Sequence, residues 1–194
     1  MLTKHQLNFF EQNGYLFLPS LFSKSELVII NEATGTILKR KGPEVVLEQD
    51  NKSIRLIYGA HYFNNVYKCL SEHPRLIEPA EQLLNDRVYI HQSRLNPKAA
   101  FEGKPWDWHQ DFAVWNDRDG IMEPRALMIA IYIDDVNETN APLLVMPGSH
   151  KIGLIHGATD NKDSDGYSIF RISKKKLTSA ANKCGIKAQL GPAG

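Results

Sequence analysis

The sequence predicts an α+β domain in which helices come first and strands follow. Helix-start patterns and apolar residues at helical spacing dominate residues 1–86, whereas alternating apolar and polar residues become frequent in residues 87–194. Such segregation of helices and strands along the chain is typical of an α+β domain with an antiparallel sheet. A length of 194 residues provides for one sizeable hydrophobic core, so we expect a single domain over 1–194.

Two segments near the N-terminus have the spacing of a helix capping box. Residues 3–6 (TKHQ) and 23–26 (SKSE) each place a hydroxyl residue three positions before a Gln or Glu. The first box predicts a helix that ends at Gly14, and the second box predicts another helix. A further helical stretch is predicted over Val66–Leu84, with a break at Pro74 because the residue before a proline disfavours helical geometry.

Five short segments are apolar or alternating and are bounded by turn residues, as strands are. They are Tyr15–Leu18, Ile54–Tyr58, Val88–Asn96, Leu127–Ile133 and Leu143–Met146. Residues two apart share one face of a strand, so each alternating segment should present an apolar face to the core. The three later segments place most of the predicted sheet in the second half of the chain.

Charge and composition argue against several classes of protein. The chain carries 23 Lys and Arg against 22 Asp and Glu, a net charge of +1, which favours neither nucleic acid nor an anionic membrane as a partner. Its longest apolar runs fall far short of the roughly 20 residues that a membrane span needs. Two cysteines are too few for a disulfide framework, and the first residues lack the pattern of a signal peptide, so a cytoplasmic location is expected.

The most informative segment is Trp106–Phe112, which contains a histidine and an aspartate two residues apart. On a strand, His109 and Asp111 would project from the same face and offer a nitrogen and an oxygen to one divalent ion. Two histidines and one carboxylate, with open positions, form the facial triad of non-haem Fe(II) oxygenases. The spacing alone is weak, and an alternative is that the two side chains merely hydrogen-bond inside a core.

The residues around this pair favour the metal hypothesis. Trp106, Trp108, Phe112 and Trp115 flank it, so the pair would lie in an aromatic, poorly solvated pocket. Such a pocket strengthens the electrostatic attraction between ligands and metal and keeps bulk water away from the reaction. The alternative is that these aromatic residues are ordinary core.

Several stretches together resemble the phytanoyl-CoA dioxygenase superfamily, and within it the branch of ectoine hydroxylases and free L-proline hydroxylases. The stretches are residues 91–96 (HQSRLN), 108–115 (WHQDFAVW), 119–120 (DG), 124–127 (PRAL) and 141–151 (APLLVMPGSHK). The resemblance implies N-terminal helices packed on a double-stranded β-helix, a jelly-roll barrel that holds one Fe(II). It also implies that 2-oxoglutarate and O₂ are the co-substrates and that succinate and CO₂ are released.

The resemblance also implies roles for individual residues. His109 and Asp111 would be two of the three protein ligands of the iron. Lys98 matches a position associated with 2-oxoglutarate, and Arg94 could bind a carboxylate of the co-substrate through the two N–H donors of its forked guanidinium. If the strand beginning at Val88 continues, both cations share a face, although ordinary surface positions remain an alternative.

Two further residues match positions that contact substrate in ectoine hydroxylases. Gln92 would supply an amide hydrogen bond, and Trp115 an aromatic wall or a cation–π face for a compact zwitterion. A plain scaffold role for both remains open. Met128 stands where ectoine hydroxylases tend to carry a small hydroxyl residue, which makes ectoine itself a less attractive substrate than a related cyclic amino acid.

The resemblance implies a distal histidine as the third iron ligand, on a strand after a Gly-Pro-Ala-Gly-like turn, with an arginine beyond it for 2-oxoglutarate. The chain ends at Gly194 on such a turn, so we expect a C-terminally incomplete domain that lacks the last barrel strands. His150 follows a turn that the family keeps apart from its iron ligand, so we expect a hydrogen-bonded structural histidine there. His156 is treated in the same way.

The leading hypothesis is therefore an Fe(II)- and 2-oxoglutarate-dependent hydroxylase of a small amino-acid-like substrate, proline- or ectoine-like. A halogenase would need a small residue in place of Asp111, and a zinc hydrolase would need a further ligand that the sequence does not provide. An alternative is a non-catalytic or impaired family member that acts as a binding module, because the third ligand is absent. The expected partner is a small-molecule substrate, and the sequence leaves the oligomeric state open.

Overall fold

Helices and short strands alternate along residues 1–155, 158–159 and 169–194, which are the residues that the computed structural model describes. The helices are α1 (Lys4–Asn13), α2 (Lys24–Ile37), α3 (Ala60–Phe63), α4 (Asn65–Ser71), α5 (Pro74–Leu84), α6 (Asp111–Arg118) and α7 (Lys174–Cys184). The strands are β1 (Val45–Leu47), β2 (Ile54–Tyr58), β3 (Arg94–Leu95), β4 (Leu143–Val145), β5 (Ala158–Thr159), β6 (Phe170–Arg171) and β7 (Lys187–Gln189). A single turn of 3₁₀ helix covers Ser149–Ile152.

The two N-terminal helices begin at the predicted capping boxes. The Thr3 side chain accepts a hydrogen bond from the Gln6 backbone, and the Gln6 side chain accepts one from the Thr3 backbone. Ser23 and Glu26 form the same reciprocal pair at the start of α2. Gly14 ends α1 in the left-handed conformation, at φ 73°. These boundaries are confirmed. They could be predicted because the capping side chains and their backbone partners are only three residues apart.

Helices α2, α4 and α5 enclose the largest of the buried clusters. Its buried members are Phe22, Ile30, Leu70 and Leu76, and Ile131 and Ile133 are among the half-buried residues packed against it. A second cluster joins the end of α2 to β2, through the buried side chains Ile37, Ile57 and Ala60. Through these clusters, the helices support strand β2, which pairs with the strand that leads to the candidate site.

In the described part of the chain, no helix is both long enough and apolar enough to cross a bilayer.

All of the strand pairs in the described residues are antiparallel, as predicted. Strands β1, β2 and β3 form a three-stranded sheet in that order, whereas β4 pairs with β7 and β5 pairs with β6. In the first sheet, Ile57 lies opposite Leu95 and Tyr58 lies opposite Arg94. Because the Ile57 side chain is buried in the cluster with α2, this register fixes the position of Arg94.

Three of the predicted strands are wrong wholly or in part. Val88–Asn96 forms a ladder only at Arg94–Leu95, and neither Tyr15–Leu18 nor Leu127–Ile133 is a strand. In the last two segments the apolar side chains are at most half-buried: Phe17 packs on the ring of Tyr132, at 6.1 Å between centroids, whereas Ile129 is 48% exposed. Apolar alternation reports burial of one face, and a strand additionally needs a neighbouring backbone in register.

Gly14 is predicted to be necessary for the turn after α1. A Cβ atom at this position would lie 2.3 Å from His150 Nδ1, and the positive φ disfavours any side chain. We expect Gly14→Ala to lower the free energy of unfolding by about 2 kcal/mol, measured by urea denaturation. At Gly35, inside α2, such a Cβ would meet no described atom within 4 Å apart from its chain neighbours and the nearby backbone of α2 itself, so Gly35→Ala should raise stability by about 0.5–1 kcal/mol. Equal effects of the two substitutions would contradict this explanation.

Candidate metal centre

The prediction that one strand carries His109 and Asp111 is wrong. Residues 106–110 have irregular backbone, and Asp111 is the first residue of α6. An aspartate in the first turn of a helix is stabilised by the unpaired backbone N–H groups and by the helix dipole. Local helix preference at Asp111 therefore prevails over the predicted strand, but Gln110 between the two residues is extended, at φ −117° and ψ 121°, and this places both side chains on one side of the backbone.

The irregular segment before α6 is held by contacts to β6 and its neighbour. Asp107 accepts from Arg171 Nε at 2.6 Å, and the carbonyl of Trp108 accepts from the Ile172 backbone N–H at 3.1 Å. The segment belongs to no helix or strand, and these contacts with residues distant in sequence hold it in place.

Gln110 adds a second anchor on the other side of the histidine. Its side-chain amide donates to the Gly153 carbonyl at 3.0 Å, and its oxygen accepts from the Ile155 N–H at 2.7 Å. An amide that both donates and accepts to one stretch of backbone fixes its own orientation. His109 is thus flanked by two residues that are tied to the rest of the domain.

The side chains of His109 and Asp111 do come together. His109 Nε2 lies 3.3 Å from Asp111 Oδ1, and the side chains are only 20% and 18% exposed. Two ligands at adjacent positions of an octahedron, each about 2.1 Å from a metal, stand roughly 3.0 Å apart. The separation therefore fits two neighbouring ligands of one divalent ion.

The second nitrogen of His109 determines which nitrogen can bind a metal. Nδ1 lies 2.5 Å from the carbonyl oxygen of Asp107, and this oxygen can only accept a hydrogen bond. Nδ1 therefore carries the hydrogen, and the neutral ring presents the lone pair of Nε2 to Asp111. A lone pair that faces a carboxylate requires a cation between them, either a proton or a metal ion.

The ionisation of the pair reflects the same requirement. Burial alone would lower the pKa of His109, but the hydrogen bonds to Asp111 and to the Asp107 carbonyl outweigh it and raise this pKa above its ordinary value. Burial would raise the pKa of Asp111, but His109 and the charge of Arg94 outweigh it and lower this pKa. The site thus favours a carboxylate with positive charge beside it.

Arg94 is placed at this pair by the register of β3 with β2. Its Nη2 lies 3.4 Å from Asp111 Oδ1, and its side chain is mostly buried. Arg94 thus contacts a candidate metal ligand, and its predicted role towards 2-oxoglutarate stays a prediction. One cation is therefore already at hand where an anionic co-substrate would have to approach the metal.

Lys98 lies beyond β3, because this strand ends at Leu95 and does not continue to residue 98 as predicted. Its Nζ donates to the Lys104 carbonyl across a turn. Burial, and then the charge of Arg55, lower the pKa of Lys98, while Glu48 opposes the shift. Lys98 therefore contacts the turn that leads to the metal-site segment, and its role towards 2-oxoglutarate stays a prediction.

A buried ion pair lies behind the segment that carries His109. Arg55 Nη1 donates to both carboxylate oxygens of Glu48, at 3.2 and 3.1 Å, and the two residues are 8% and 4% exposed. The Arg55 guanidinium lies 3.9 Å from the ring centroid of Trp106, and Glu48 also accepts from the Lys104 N–H at 3.2 Å. The pair therefore connects the first sheet to the start of the metal-site segment.

The two predicted substrate residues lie on different elements. Trp115 is on α6, four residues after Asp111, and therefore on the same face of that helix. It is 9% exposed, and its indole Nε1–H finds no hydrogen-bond partner among the described residues. A buried donor of this kind is compatible with a ligand that supplies the acceptor.

The other predicted substrate residue, Gln92, lines a cavity of about 390 Å³ together with Tyr58 and Ser93.

His91 is a residue whose contacts the sequence analysis missed. Its Nε2 lies 2.9 Å from Asp119 Oδ2, and its ring packs edge-on against Trp115 with centroids 5.6 Å apart. His91 therefore links the backbone next to Gln92 to helix α6. No local signal could have predicted this contact, because the histidine and its partner are far apart in sequence.

His150 is the hydrogen-bonded structural histidine that was predicted. Its Nε2 lies 3.0 Å from the Glu11 carbonyl, at the end of α1. His156 lies outside the described residues. Among the residues that are described, no group of three or more His, Cys, Asp or Glu side chains is arranged to hold a metal ion. The donor set seen here therefore consists of His109 and Asp111.

Comparison with known protein families places residues 10–185 in one of them, phytanoyl-CoA dioxygenase (PhyH). Because the match covers most of the sequence, the chain belongs to the phytanoyl-CoA dioxygenase family. Membership of the family was predicted from the sequence motifs and is confirmed.

Two characterised relatives illustrate the similarity. The L-proline trans-4-hydroxylase of Streptomyces griseoviridis is 41% identical over 144 residues, which are 74% of this chain and 54% of the relative. The ectoine dioxygenase of Halomonas elongata is 32% identical over 202 aligned residues, covering 100% of this chain and 61% of the relative. The chain thus spans somewhat more than half the length of these proteins.

Solved structures agree with the sequence relatives. EctD from S. alaskensis with 2-oxoglutarate and 5-hydroxyectoine superposes with a TM-score of 0.86 at 31% identity, over 100% of this chain and 65% of that one. EctD with bound Fe gives a TM-score of 0.85 at 31% identity, over 100% of this chain and 66% of that one. The chain therefore shares the fold of the matched part of EctD.

Removal of one member of the buried Glu48–Arg55 pair should lower the free energy of unfolding strongly, whereas replacement of both members should lower it little. Arg55→Met leaves the Glu48 carboxylate buried without its counter-charge, so we expect a loss of about 3–5 kcal/mol of unfolding free energy. The double variant Glu48→Met/Arg55→Met should recover most of that loss in the same denaturation measurement.

A matched control uses an exposed ion pair. Arg87 contacts Glu81 at 2.8 Å but is 94% exposed, so Arg87→Met should cost no more than about 1 kcal/mol. If the double variant at the buried pair is as unstable as Arg55→Met alone, the stranded charge is not the cause.

Proposed function

We propose that this protein is a non-haem Fe(II)- and 2-oxoglutarate-dependent hydroxylase of a small, amino-acid-like substrate, proline- or ectoine-like. In this proposal, His109 and Asp111 bind the iron, Arg94 and Lys98 serve the co-substrate, and Gln92 and Trp115 contact the substrate. The proposal includes the jelly-roll barrel implied by the resemblance.

The observation that carries the proposal is the arrangement of His109 and Asp111. Nε2 and Oδ1 are 3.3 Å apart, and the Asp107 carbonyl orients the ring so that Nε2 keeps its lone pair. In a chain of this family, one nitrogen and one carboxylate oxygen at that separation supply two of the three positions of a facial triad.

Bound iron, with 2-oxoglutarate and O₂, would supply the oxidising chemistry that hydroxylates an unactivated C–H bond and releases succinate and CO₂. The chain's own contribution is to position and to desolvate. Arg94 offers a guanidinium beside Asp111, where it can donate hydrogen bonds to a carboxylate of the co-substrate. Lys98 contacts the Lys104 carbonyl and feels the charges of Arg55 and Glu48, and its part in the proposal rests on the resemblance.

The substrate class rests on the relatives and on two residues. The relatives are named for proline and ectoine, both small and compact. Trp115 presents a buried indole N–H that has no hydrogen-bond partner among the described residues, and Gln92 lines a cavity next to β3. An indole donor, an amide and an aromatic face are suited to a small zwitterion.

The relatives also bear on the binding-module alternative. They are named as a hydroxylase and as dioxygenases, which favours catalysis over a purely binding role. A halogenase would need a small residue in place of Asp111, so the carboxylate of Asp111 in contact with His109 argues against that alternative.

The test is succinate release by the protein as expressed from its own gene, with its intact mass measured first. Fe(II), 2-oxoglutarate and O₂ are supplied with L-proline, ectoine and a long acyl-thioester in separate assays. We expect succinate with an amino-acid-like compound and none with the thioester. Turnover with the thioester alone would overturn the substrate class, and iron binding without any turnover would overturn the hydroxylase assignment.

Variants on one helix assign the metal ligand. Asp111→Asn should lower turnover by more than the roughly 10–100-fold that changes in outer-shell partners cost. Asp117 is an exposed aspartate on the same helix, α6, so Asp117→Asn should leave turnover and iron content unchanged. Equal losses in the two variants would contradict the assignment of Asp111.

A further inference from the structure

A second cavity lies between the N-terminal helix and β7, apart from the metal centre. Its volume is about 320 Å³, and it is lined by residues from α1, from the segment after Gly14 and from 187–190. A volume of this size is at the lower end of the range for small-molecule sites. None of the residues that line it belongs to the candidate metal centre described above.

Gln189 supplies an unsatisfied donor at the back of this cavity. The residue is only 7% exposed, and its side-chain Nε2 has no hydrogen-bond partner among the described residues. Gln189 and Lys187 are two apart on β7 and therefore point to the same face of that strand. Lys187 lies over the ring of Tyr15, with Nζ 5.6 Å from the centroid, so this face is turned towards the cavity.

The aromatic walls of the cavity are held in place by their own packing. Tyr15 meets Phe9 edge-on, with ring centroids 5.5 Å apart and an interplanar angle of 83°. Phe17 packs so closely on Gly191 that a Cβ there would lie 2.4 Å from its ring. The two rings are thus held in place before any ligand binds, and they offer aromatic surface to a flat apolar group.

Charge in the cavity has one sign. Lys187 contributes an ammonium group, and the described residues that line the cavity include no carboxylate. An unpaired amide donor inside, a cation at the side and aromatic walls together match an anion on a flat apolar body.

We propose that this cavity is a second small-molecule site, which binds an organic carboxylate with a planar apolar body. The carboxylate accepts from Gln189 Nε2 and is neutralised by Lys187, while the body lies between Tyr15 and Phe17. The site is independent of the iron chemistry proposed above, and binding needs no metal.

The test is calorimetric titration of the metal-free protein with benzoate, together with the ¹⁵N side-chain amide spectrum. We expect benzoate to bind and to move the Gln189 amide resonance, whereas benzamide, its uncharged analogue, should bind at least tenfold more weakly. 2-Oxoglutarate, a flexible dianion without a planar apolar body, should also bind more weakly at this site.

Three variants locate the binding. Lys187→Met and Gln189→Leu should each weaken benzoate binding about tenfold, and Lys183→Met, an exposed lysine at the end of α7, should have no effect. Lys187 is exposed, so its variant tests the site even if Gln189→Leu fails to fold.

Three results would overturn the proposal. They are the absence of benzoate binding at millimolar concentration, equal affinity for benzamide, and binding that is unchanged in Lys187→Met with no shift of the Gln189 amide. Because no metal is present in the titration, failure here leaves the hydroxylase test unaffected, and the reverse also holds.

Discussion

The carboxylate of Asp111 is the point at which the sheet, helix α6 and the irregular segment before it are joined. It accepts from Arg94 on β3, and it lies 3.3 Å from Nε2 of His109. A half-buried carboxylate has to be compensated, and here a guanidinium and an imidazole do so. The placement of Arg94 follows from its register with β2, which in turn rests on the buried Ile57. The site thus inherits its geometry from the helical core.

The segment that carries His109 has irregular backbone and is held by contacts with distant parts of the chain. Ion pairs and hydrogen bonds to β6, to residues 153–155 and to Glu48 hold it at several points. Irregular backbone has no ladder of its own, so each such contact has to come from a distant part of the chain. A ligand held in this way is oriented before any metal arrives, and the Asp107 carbonyl completes the arrangement by fixing the ring.

Sequence reasoning succeeded where the deciding interactions are local. Both capping boxes and the stop at Gly14 depend on neighbours within a turn, and they are confirmed. The approach of His109 to Asp111 was also expected, although from a regular strand that is absent there, because the single extended residue Gln110 is enough to place its two neighbours on one side. Extended pairing of Leu127–Ile133 and the approach of Lys98 to Arg94 required long-range register, which alternation cannot report. The buried pair of Glu48 and Arg55 gave no signal for the same reason.

The measurement that tests the central claim most directly is the imidazole ¹⁵N spectrum of the protein during addition of a divalent metal ion. The chain has seven histidines, and each contributes two ring nitrogens. The account predicts that His109 Nε2 responds first while its Nδ1 keeps a hydrogen, and that the response is lost in Asp111→Asn. A response at Nδ1 of His109, or at another histidine with His109 unaffected, would contradict it.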